Sequence, residues 1–163
     1  MRPTHSIDVA REIGAPVQAV WDRISEHEQT HSWVLPARVR LLSPGVAHRN
    51  GQGAIREVAF PEKRLWSTIQ ERVTAFEPPR RFSYAIISGM PGLRDHLGTL
   101  TVEPRGPGHS LLTWHVDFVF SRWHPIGWIA GSFTRTFRGV LEQALAELAR
   151  QLEARSAGAA DAP

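Results

Sequence analysis

The sequence predicts an α+β fold in which a curved antiparallel sheet of about seven strands wraps around one long C-terminal helix. Consecutive segments with strand character fill residues 38–120, separated by clusters of Gly, Pro or Asn. A continuous apolar stripe at helical spacing then runs from Ile126 to Leu152. A helix of this length reaches roughly 40 Å at about 1.5 Å per residue. Only a sheet that curves around it can cover its apolar side.

The chain begins with a strand and two short helices. Apolar and polar residues alternate over residues 7–13, a period of two that is typical of a half-buried strand. Pro16 suits the first turn of a helix, and the apolar residues within 17–25 recur at three-to-four spacing, which predicts an amphipathic helix. The polar segment 26–32 predicts a second short helix.

Six further strands are predicted after Pro36, and the last of them has the clearest pattern. Its apolar side chains occupy one face and its polar side chains largely the other, so one face of the sheet is buried. The short connections favour an antiparallel meander. The predicted strands are Arg38–Leu42, Ala54–Phe60, Trp66–Phe76, Arg81–Ser88, His96–Glu103 and Ser110–Phe120.

The long helix and the end of the chain set the predicted domain limits. Pro125 opens the helix, whose side opposite the apolar stripe carries Arg and Glu. A chain of 163 residues fits one domain, and we expect that domain to span residues 1–155. The segment 156–163 has no large apolar residue to anchor it, so it is predicted to be a disordered tail.

Composition excludes several classes of function. The sequence has no Cys, which excludes disulfides, thiolate ligands and a cysteine nucleophile. The net charge is only +3, and acidic residues are mixed with the arginines, so we do not expect nucleic-acid binding despite a pI near 10.5. The first residues lack a signal-peptide pattern, and no apolar stretch approaches the roughly 20 residues of a membrane span. We therefore expect a cytoplasmic protein.

The order of elements and three motifs carry a resemblance to a known superfamily. The motifs are the helix start Ala15–Trp21, the glycine-rich turn and strand Gly51–Val58, and the strands joined by a Pro-Pro turn, Glu71–Tyr84. Over about residues 5–153 the chain resembles the helix-grip proteins of the START and birch-pollen-allergen (SRPBCC) superfamily, and within it the bacterial polyketide cyclase/dehydrase-like members. The resemblance implies an internal cavity for a small, largely apolar ligand, such as a polyketide, lipid or aromatic compound, and we expect no cofactor.

Strand alternation, with the more apolar face turned inward, predicts which side chains line this cavity. Arg56, Glu71, Tyr84 and His96 are the polar members of the inward faces, and they are the candidate catalytic residues. A mostly apolar wall with a few convergent polar groups is typical of a site for an amphipathic or aromatic ligand. The predicted ligand-binding residues are Arg56, Val58, Phe60, Ile69, Glu71, Tyr84, Ile86, His96, Leu100, Trp114, Val116, Phe118, Phe133 and Phe137.

Each polar residue of this set also has a structural interpretation. Arg56 and Glu71 lie on neighbouring strands and can form a structural ion pair, since buried charges are normally paired. Tyr84 can donate to a ligand carbonyl or be a core tyrosine whose hydroxyl reaches water or backbone. His96 can act as a general acid or base, or can lie at a solvent-exposed rim.

Three classes of function are compatible with this cavity. The leading interpretation is a polyketide cyclase/dehydrase-like protein that binds a small hydrophobic or amphipathic ligand, either as a carrier or as a cofactor-free cyclase or dehydratase. Such an enzyme would orient a reactive chain and polarise its carbonyls. An interaction module with a collapsed cavity is the third class. The sequence specifies neither the ligand nor the oligomeric state.

One short motif has the spacing of a metal site. His27-Glu28-Gln29-Thr30-His31 matches the zinc-peptidase pattern, in which two histidines one helical turn apart bind zinc and the glutamate activates water. A working site also needs a third ligand and a helix packed on its apolar side, whereas this segment is polar. We therefore predict no metal site and expect His27 and His31 on a short surface helix.

Overall fold

The computed structural model describes residues 5–34, 37–60 and 68–160. The chain forms strand β1, helix α1, the 3₁₀ helix η1, strands β2 to β7 and helix α2. Their bounds are β1 His5–Ile13, α1 Val17–Ser25, η1 His27–Ser32, β2 Arg38–Ser43, β3 Ile55–Ala59, β4 Thr68–Glu77, β5 Arg81–Ser88, β6 Leu93–Pro104, β7 Ser110–Phe120 and α2 Ile126–Ala160.

The seven strands form one antiparallel sheet in the order β1-β7-β6-β5-β4-β3-β2. Strands β2 to β7 follow one another as a meander, and β1 pairs with the last strand, β7. The predicted α+β fold, with about seven antiparallel strands and a long C-terminal helix, is confirmed. Predicted residues Trp66 and Ser67 of the fourth strand lie outside the described residues, and β6 begins at Leu93, before the predicted start at His96.

The inner face of the sheet and α2 share one apolar core. On β7 every second side chain is buried, beginning with Ser110 and Leu112, as the alternation predicted. On α2, Leu141, Leu145 and Leu148 recur at helical spacing and are almost fully buried. Each such side chain stabilises the fold by about 1.5–3 kcal/mol relative to an exposed one. Among the described residues, no helix is long and apolar enough to cross a membrane.

The helix α2 runs further than predicted. It continues to Ala160, so residues 156–160, for which the sequence predicts a disordered tail, are helical. The segment from Ser156 is rich in alanine, the residue with the highest helix propensity, and no proline interrupts it before Ala160. The Ser156 hydroxyl donates to the carbonyl of Leu152, 3.1 Å away, one turn earlier. Limits of 1–155 for a single domain stay a prediction.

Irregularities in β4 lie close to the polar part of the inner face. Its pairing with β5 shifts register between Gln70 and Glu71 and again between Val73 and Ala75. Such bulges increase the local twist, bend a strand and redirect its side chains. They therefore curve the sheet around α2 at Glu71.

Candidate functional site

A partly open cavity lies between the inner face of the sheet and α2. The volume open to the centre of a water-sized sphere is about 100 Å³. By the same measure a single water molecule needs roughly 10–15 Å³. The cavity can therefore hold a small organic molecule. Most of its wall is apolar, and its lining consists of Thr30, Val34, Ala37, Val39, Arg56, Val58, Phe60, Ile69, Glu71, Tyr84, Ile86, Met90, His96, Trp114, Phe118, Phe133, Phe137, Val140 and Leu141.

The structure brings the predicted ligand-binding residues together at this cavity, with the exception of Leu100 and Val116. Both exceptions are buried, at 2% and 0% exposure, but neither borders the cavity. Val116 stands between Trp114 and Phe118 on the same face of β7, and these longer aromatic side chains reach the cavity instead. Leu100 and Val116 therefore point to the buried face as predicted but do not line the cavity.

Several lining residues were missed by sequence reasoning. Val140 and Leu141 belong to the apolar stripe of α2, and Val39 alternates on β2, so their patterns could have identified them. Thr30 lies on η1 and Met90 lies in the loop between β5 and β6. Neither residue belongs to a periodic pattern long enough to identify it from the sequence.

Arg56 and Glu71 form a buried ion pair in the cavity wall. They are cross-strand partners on β3 and β4, and Arg56 Nε donates to Glu71 Oε2 at 2.7 Å. The side chains are 7% and 8% exposed. The guanidinium also lies over the rings of Phe82 and Tyr84, at 5.1 and 4.8 Å from their centroids. Arg56 and Glu71 are therefore both a structural ion pair and part of the cavity wall.

The hydroxyl of Tyr84 accepts a hydrogen bond and remains protonated. Trp114 Nε1 donates to Tyr84 Oη at 3.0 Å. Burial, reinforced by the negative charge of Glu71, raises the pKa of Tyr84, so the hydroxyl stays protonated. Since the indole fills one acceptor position of Oη, the hydroxyl can still donate to an oxygen of a ligand.

His96 lies in the cavity wall, and the rim position considered from the sequence is wrong. It is 4% exposed, with its ring 5.5 Å from Tyr84 and 5.0 Å from Phe118. The backbone N–H of Ile86 donates to Nδ1 at 3.3 Å. Burial lowers the pKa of His96 to about 4, so at neutral pH the ring is uncharged and carries its proton on Nε2. His96 is thus a neutral hydrogen-bond donor and not a charged acid at pH 7.

The structure corrects the predicted surface position of His27. This side chain is 0% exposed, and its ring lies 5.0 Å from Phe82. Burial and the positive charge of Arg56 lower the pKa of His27 to about 2, so the ring is neutral. The polarity of segment 26–32 suggested a surface location, but its 3₁₀ geometry turns one residue in three inward.

The described residues do not assemble a metal centre. No group of three or more His, Cys, Asp or Glu side chains among them could hold a metal ion. Zinc ligation by the two histidines of the motif needs them one α-helical turn apart, but η1 is a 3₁₀ helix, in which residues three apart are aligned. The side chain of His31 lies outside the described residues.

Comparison with known proteins identifies both a family and a fold. The family model described as polyketide cyclase / dehydrase and lipid transport matches residues 4–153. No curated protein matches the chain by sequence comparison. A Thermus thermophilus protein of known structure is 14% identical with a TM-score of 0.72, and the match covers 93% of this chain and 99% of that one.

Two solved structures of named proteins also share the fold. A point mutant of norcoclaurine synthase from Thalictrum flavum, in complex with a transition-state analogue, is 14% identical with a TM-score of 0.73, over 96% of this chain and 99% of that one. The di-domain ARO/CYC protein BexL is 16% identical with a TM-score of 0.70, over 92% of this chain and 47% of that one. At these identities the likeness shows the fold alone.

Proposed function

This chain belongs to the polyketide cyclase/dehydrase and lipid transport family, and we propose that it binds a small, largely apolar polyketide, lipid or aromatic ligand in the cavity beneath α2. One observation carries the proposal. Three hydrogen-bond donors with fixed partners, on Arg56, Tyr84 and His96, converge on a cavity whose remaining wall is mostly apolar. A few fixed polar groups in an apolar cavity orient a ligand that carries matching acceptors.

The charge balance of the site indicates the kind of acceptor. The cation of Arg56 is paired with the carboxylate of Glu71, and Tyr84 and His96 are neutral at pH 7. A ligand carboxylate would bring a net charge into a buried site, which is costly without a free partner. The proposed ligand therefore presents an uncharged oxygen, such as a ketone or a hydroxyl, to these donors.

A cavity-filling variant tests the binding proposal. Val58→Phe adds a ring to a lining residue that is 7% exposed, so we expect it to weaken binding of the probe 2-naphthol at least tenfold, since the added ring occupies the space of the probe. Val46→Phe is the matched control, because Val46 is 96% exposed and does not line the cavity. Titration calorimetry measures the affinities, and far-UV circular dichroism checks that both variants fold. A folded Val58→Phe protein with unchanged affinity would contradict the proposal.

A cofactor-free enzyme is a second candidate, favoured by the position of Glu71 beside the donors. Norcoclaurine synthase and BexL, which share the fold, are by their names enzymes. In such a site the Glu71 carboxylate would take a proton from the carbon next to a ligand carbonyl. The electron pair would move to the carbonyl oxygen, and the hydroxyl of Tyr84 and Nε2–H of His96 would stabilise the resulting enolate.

Proton exchange separates the enzyme from the carrier. For an enzyme, we expect the protein to accelerate deuterium exchange next to the carbonyl of 2-tetralone in D₂O, followed by NMR. Glu71→Gln should remove the acceleration, and Tyr84→Phe should reduce it about a hundredfold, as loss of an oxyanion donor commonly does. Binding of 2-tetralone without accelerated exchange would favour the carrier.

A further inference from the structure

The 3₁₀ helix η1 presents a strip of buried polar atoms without hydrogen-bond partners. His27 and Thr30 are three residues apart, so their side chains are aligned on η1, and Trp33, which follows the last residue of η1, comes at the same spacing. Their exposures are 0%, 9% and 4%. Four of their polar atoms have no hydrogen-bond partner among the described residues. These atoms are Nδ1 and Nε2 of His27, Oγ1 of Thr30 and Nε1 of Trp33. We call these three residues the η1 strip.

Native proteins pair nearly all buried polar groups, so several unpaired groups on one face require an explanation. Substitution by apolar residues would remove their desolvation cost, since an unmade buried hydrogen bond is more costly than an apolar contact. Such groups in native proteins commonly mark a functional role or the place of a bound partner. The position of the strip decides whether a ligand can reach it.

One member of the η1 strip lines the cavity, and the other two pack against aromatic rings near the cavity. Thr30 lines it directly. The ring of Trp33 lies 5.9 Å from that of Trp114, another lining residue. The ring of His27 lies 5.0 Å from Phe82, the ring that also lies beneath the guanidinium of Arg56. The strip therefore meets the cavity at Thr30. Trp33 packs directly on a lining residue, and His27 is connected to the lining residue Arg56 through the ring of Phe82.

We propose that the η1 strip is a second polar subsite of the cavity, which binds an uncharged hydroxyl or carbonyl oxygen of the ligand. Trp33 can only donate, Thr30 can donate and accept, and neutral His27 has one donor and one acceptor nitrogen. Rotation of Thr30 about χ1 exchanges its methyl and hydroxyl positions, so this residue can turn its hydroxyl towards the cavity without a movement of the backbone. No member of the strip carries a charge, which suits a neutral oxygen.

Residues on the opposite side of η1 form hydrogen bonds with α1 and α2. Arg23 of α1 donates to Gln29 Oε1 at 2.6 Å and to Ser32 Oγ at 2.8 Å. Gln151 of α2 donates to the carbonyl of Ser32 at 2.7 Å. These bonds fix the segment on the side opposite to the strip, which meets the cavity at Thr30. A subsite on η1 is thereby held in place before a ligand arrives, which reduces the entropy lost on binding.

This inference rests on the proposed ligand-binding function, and a matched pair of probes separates the two. 2-Naphthol and 2-methylnaphthalene are similar in size, but only the former has a hydroxyl. We expect the unaltered protein to bind 2-naphthol about tenfold more tightly, the equivalent of one net hydrogen bond. If neither probe binds, the proposed function itself fails. If both bind equally, the cavity binds ligands but the subsite does not exist.

Substitutions then locate the source of the preference. Thr30→Val keeps the shape of the side chain and removes only its hydroxyl, and His27→Leu removes both ring nitrogens. Each should lower the preference to about threefold or less and leave the affinity for 2-methylnaphthalene within about twofold. Thr113→Val, on the half-buried outer face of β7, is the control and should keep the tenfold preference. Retention of the full preference in both strip variants, with a melting temperature unchanged or raised, would assign the strip a structural role and overturn the proposal.

Discussion

Replacement of Gly98 by alanine should displace Tyr84, because the tyrosine ring occupies the space of the missing side chain. The two residues are cross-strand partners on β6 and β5. A Cβ atom on Gly98 would lie within 2.7 Å of Cε1 and Oη of Tyr84, whereas carbon atoms normally approach to about 3.5–4.0 Å. The ring must therefore move by about 1 Å. Such a movement would stretch the 3.0 Å bond from Trp114 Nε1 beyond hydrogen-bonding distance.

The size of the effect follows from these two losses. Overpacking a dense core costs about 1–3 kcal/mol, and one net hydrogen bond contributes about 1 kcal/mol. We expect Gly98→Ala to lower the free energy of unfolding by about 2–4 kcal/mol and the melting temperature by about 4–16 °C for a chain of this size. Binding of 2-naphthol should weaken as well, because the donor on Tyr84 is displaced. Differential scanning calorimetry and titration calorimetry measure the two effects.

A control and a double mutant test the reasoning. Gly139→Ala in α2 is the control, since a Cβ there meets no atom within 4 Å, and in a helix this change is neutral or stabilising. Tyr84→Leu removes the ring, so adding Gly98→Ala to it should cost much less than Gly98→Ala alone. Tyr84 is the only tyrosine, so incorporated 3-fluorotyrosine gives one ¹⁹F resonance that reports the ring directly. Additive losses and an unshifted resonance would refute the proposed clash.

Three further predictions concern charged and titrating groups. Arg56→Met leaves Glu71 buried without its partner and should cost about 3–5 kcal/mol in urea unfolding, and Arg56→Met combined with Glu71→Met should restore most of that loss. The pKa of His96 is lowered to about 4 from the usual 6.5 by burial, so stability should fall by about 3 kcal/mol as the pH falls from 7 to 4, and less in His96→Leu. The hydrogen bond to Asp8 is the main factor that raises the pKa of half-exposed His115. Its small contribution to stability is therefore present below pH 6.5 and lost at higher pH. His115→Asn should abolish that loss at alkaline pH in thermal melts.

The fold could be predicted because its strands and long helix have patterns that depend on local sequence. Alternation along Ser110–Phe120 and the stripe of residues 126–152 each bury one face, and the short connections leave the meander as the simplest arrangement. The pairing of Arg56 with Glu71 also follows from register on adjacent strands. The end of α2 could not be placed, because a polar, alanine-rich segment lacks the large apolar residues that mark buried helix and yet has high helix propensity.

The cavity was predicted less completely, because alternation assigns a face but not a depth along the strand. Val116 shares its face with the lining residues Trp114 and Phe118 but lies at a level where neighbouring side chains close the space. Residues of η1 were missed for another reason. Thr30 reaches the cavity through a period of three over only six residues, too short to distinguish from a polar loop. Buried His27 was misplaced because the average polarity of its segment conceals its inward face.

The ion pair and the proposed η1 subsite together restrict what the cavity can select. Arg56 and Glu71 cancel each other's charge near Tyr84, and the η1 strip is uncharged. A ligand with a free carboxylate would compete with Glu71 for the guanidinium and leave one buried anion unpaired, whereas a neutral ketone or phenol accepts from the donors without disturbing the pair. Discrimination by the cavity thus depends on the number and spacing of neutral oxygens along an apolar molecule, since each donor left without an acceptor costs affinity.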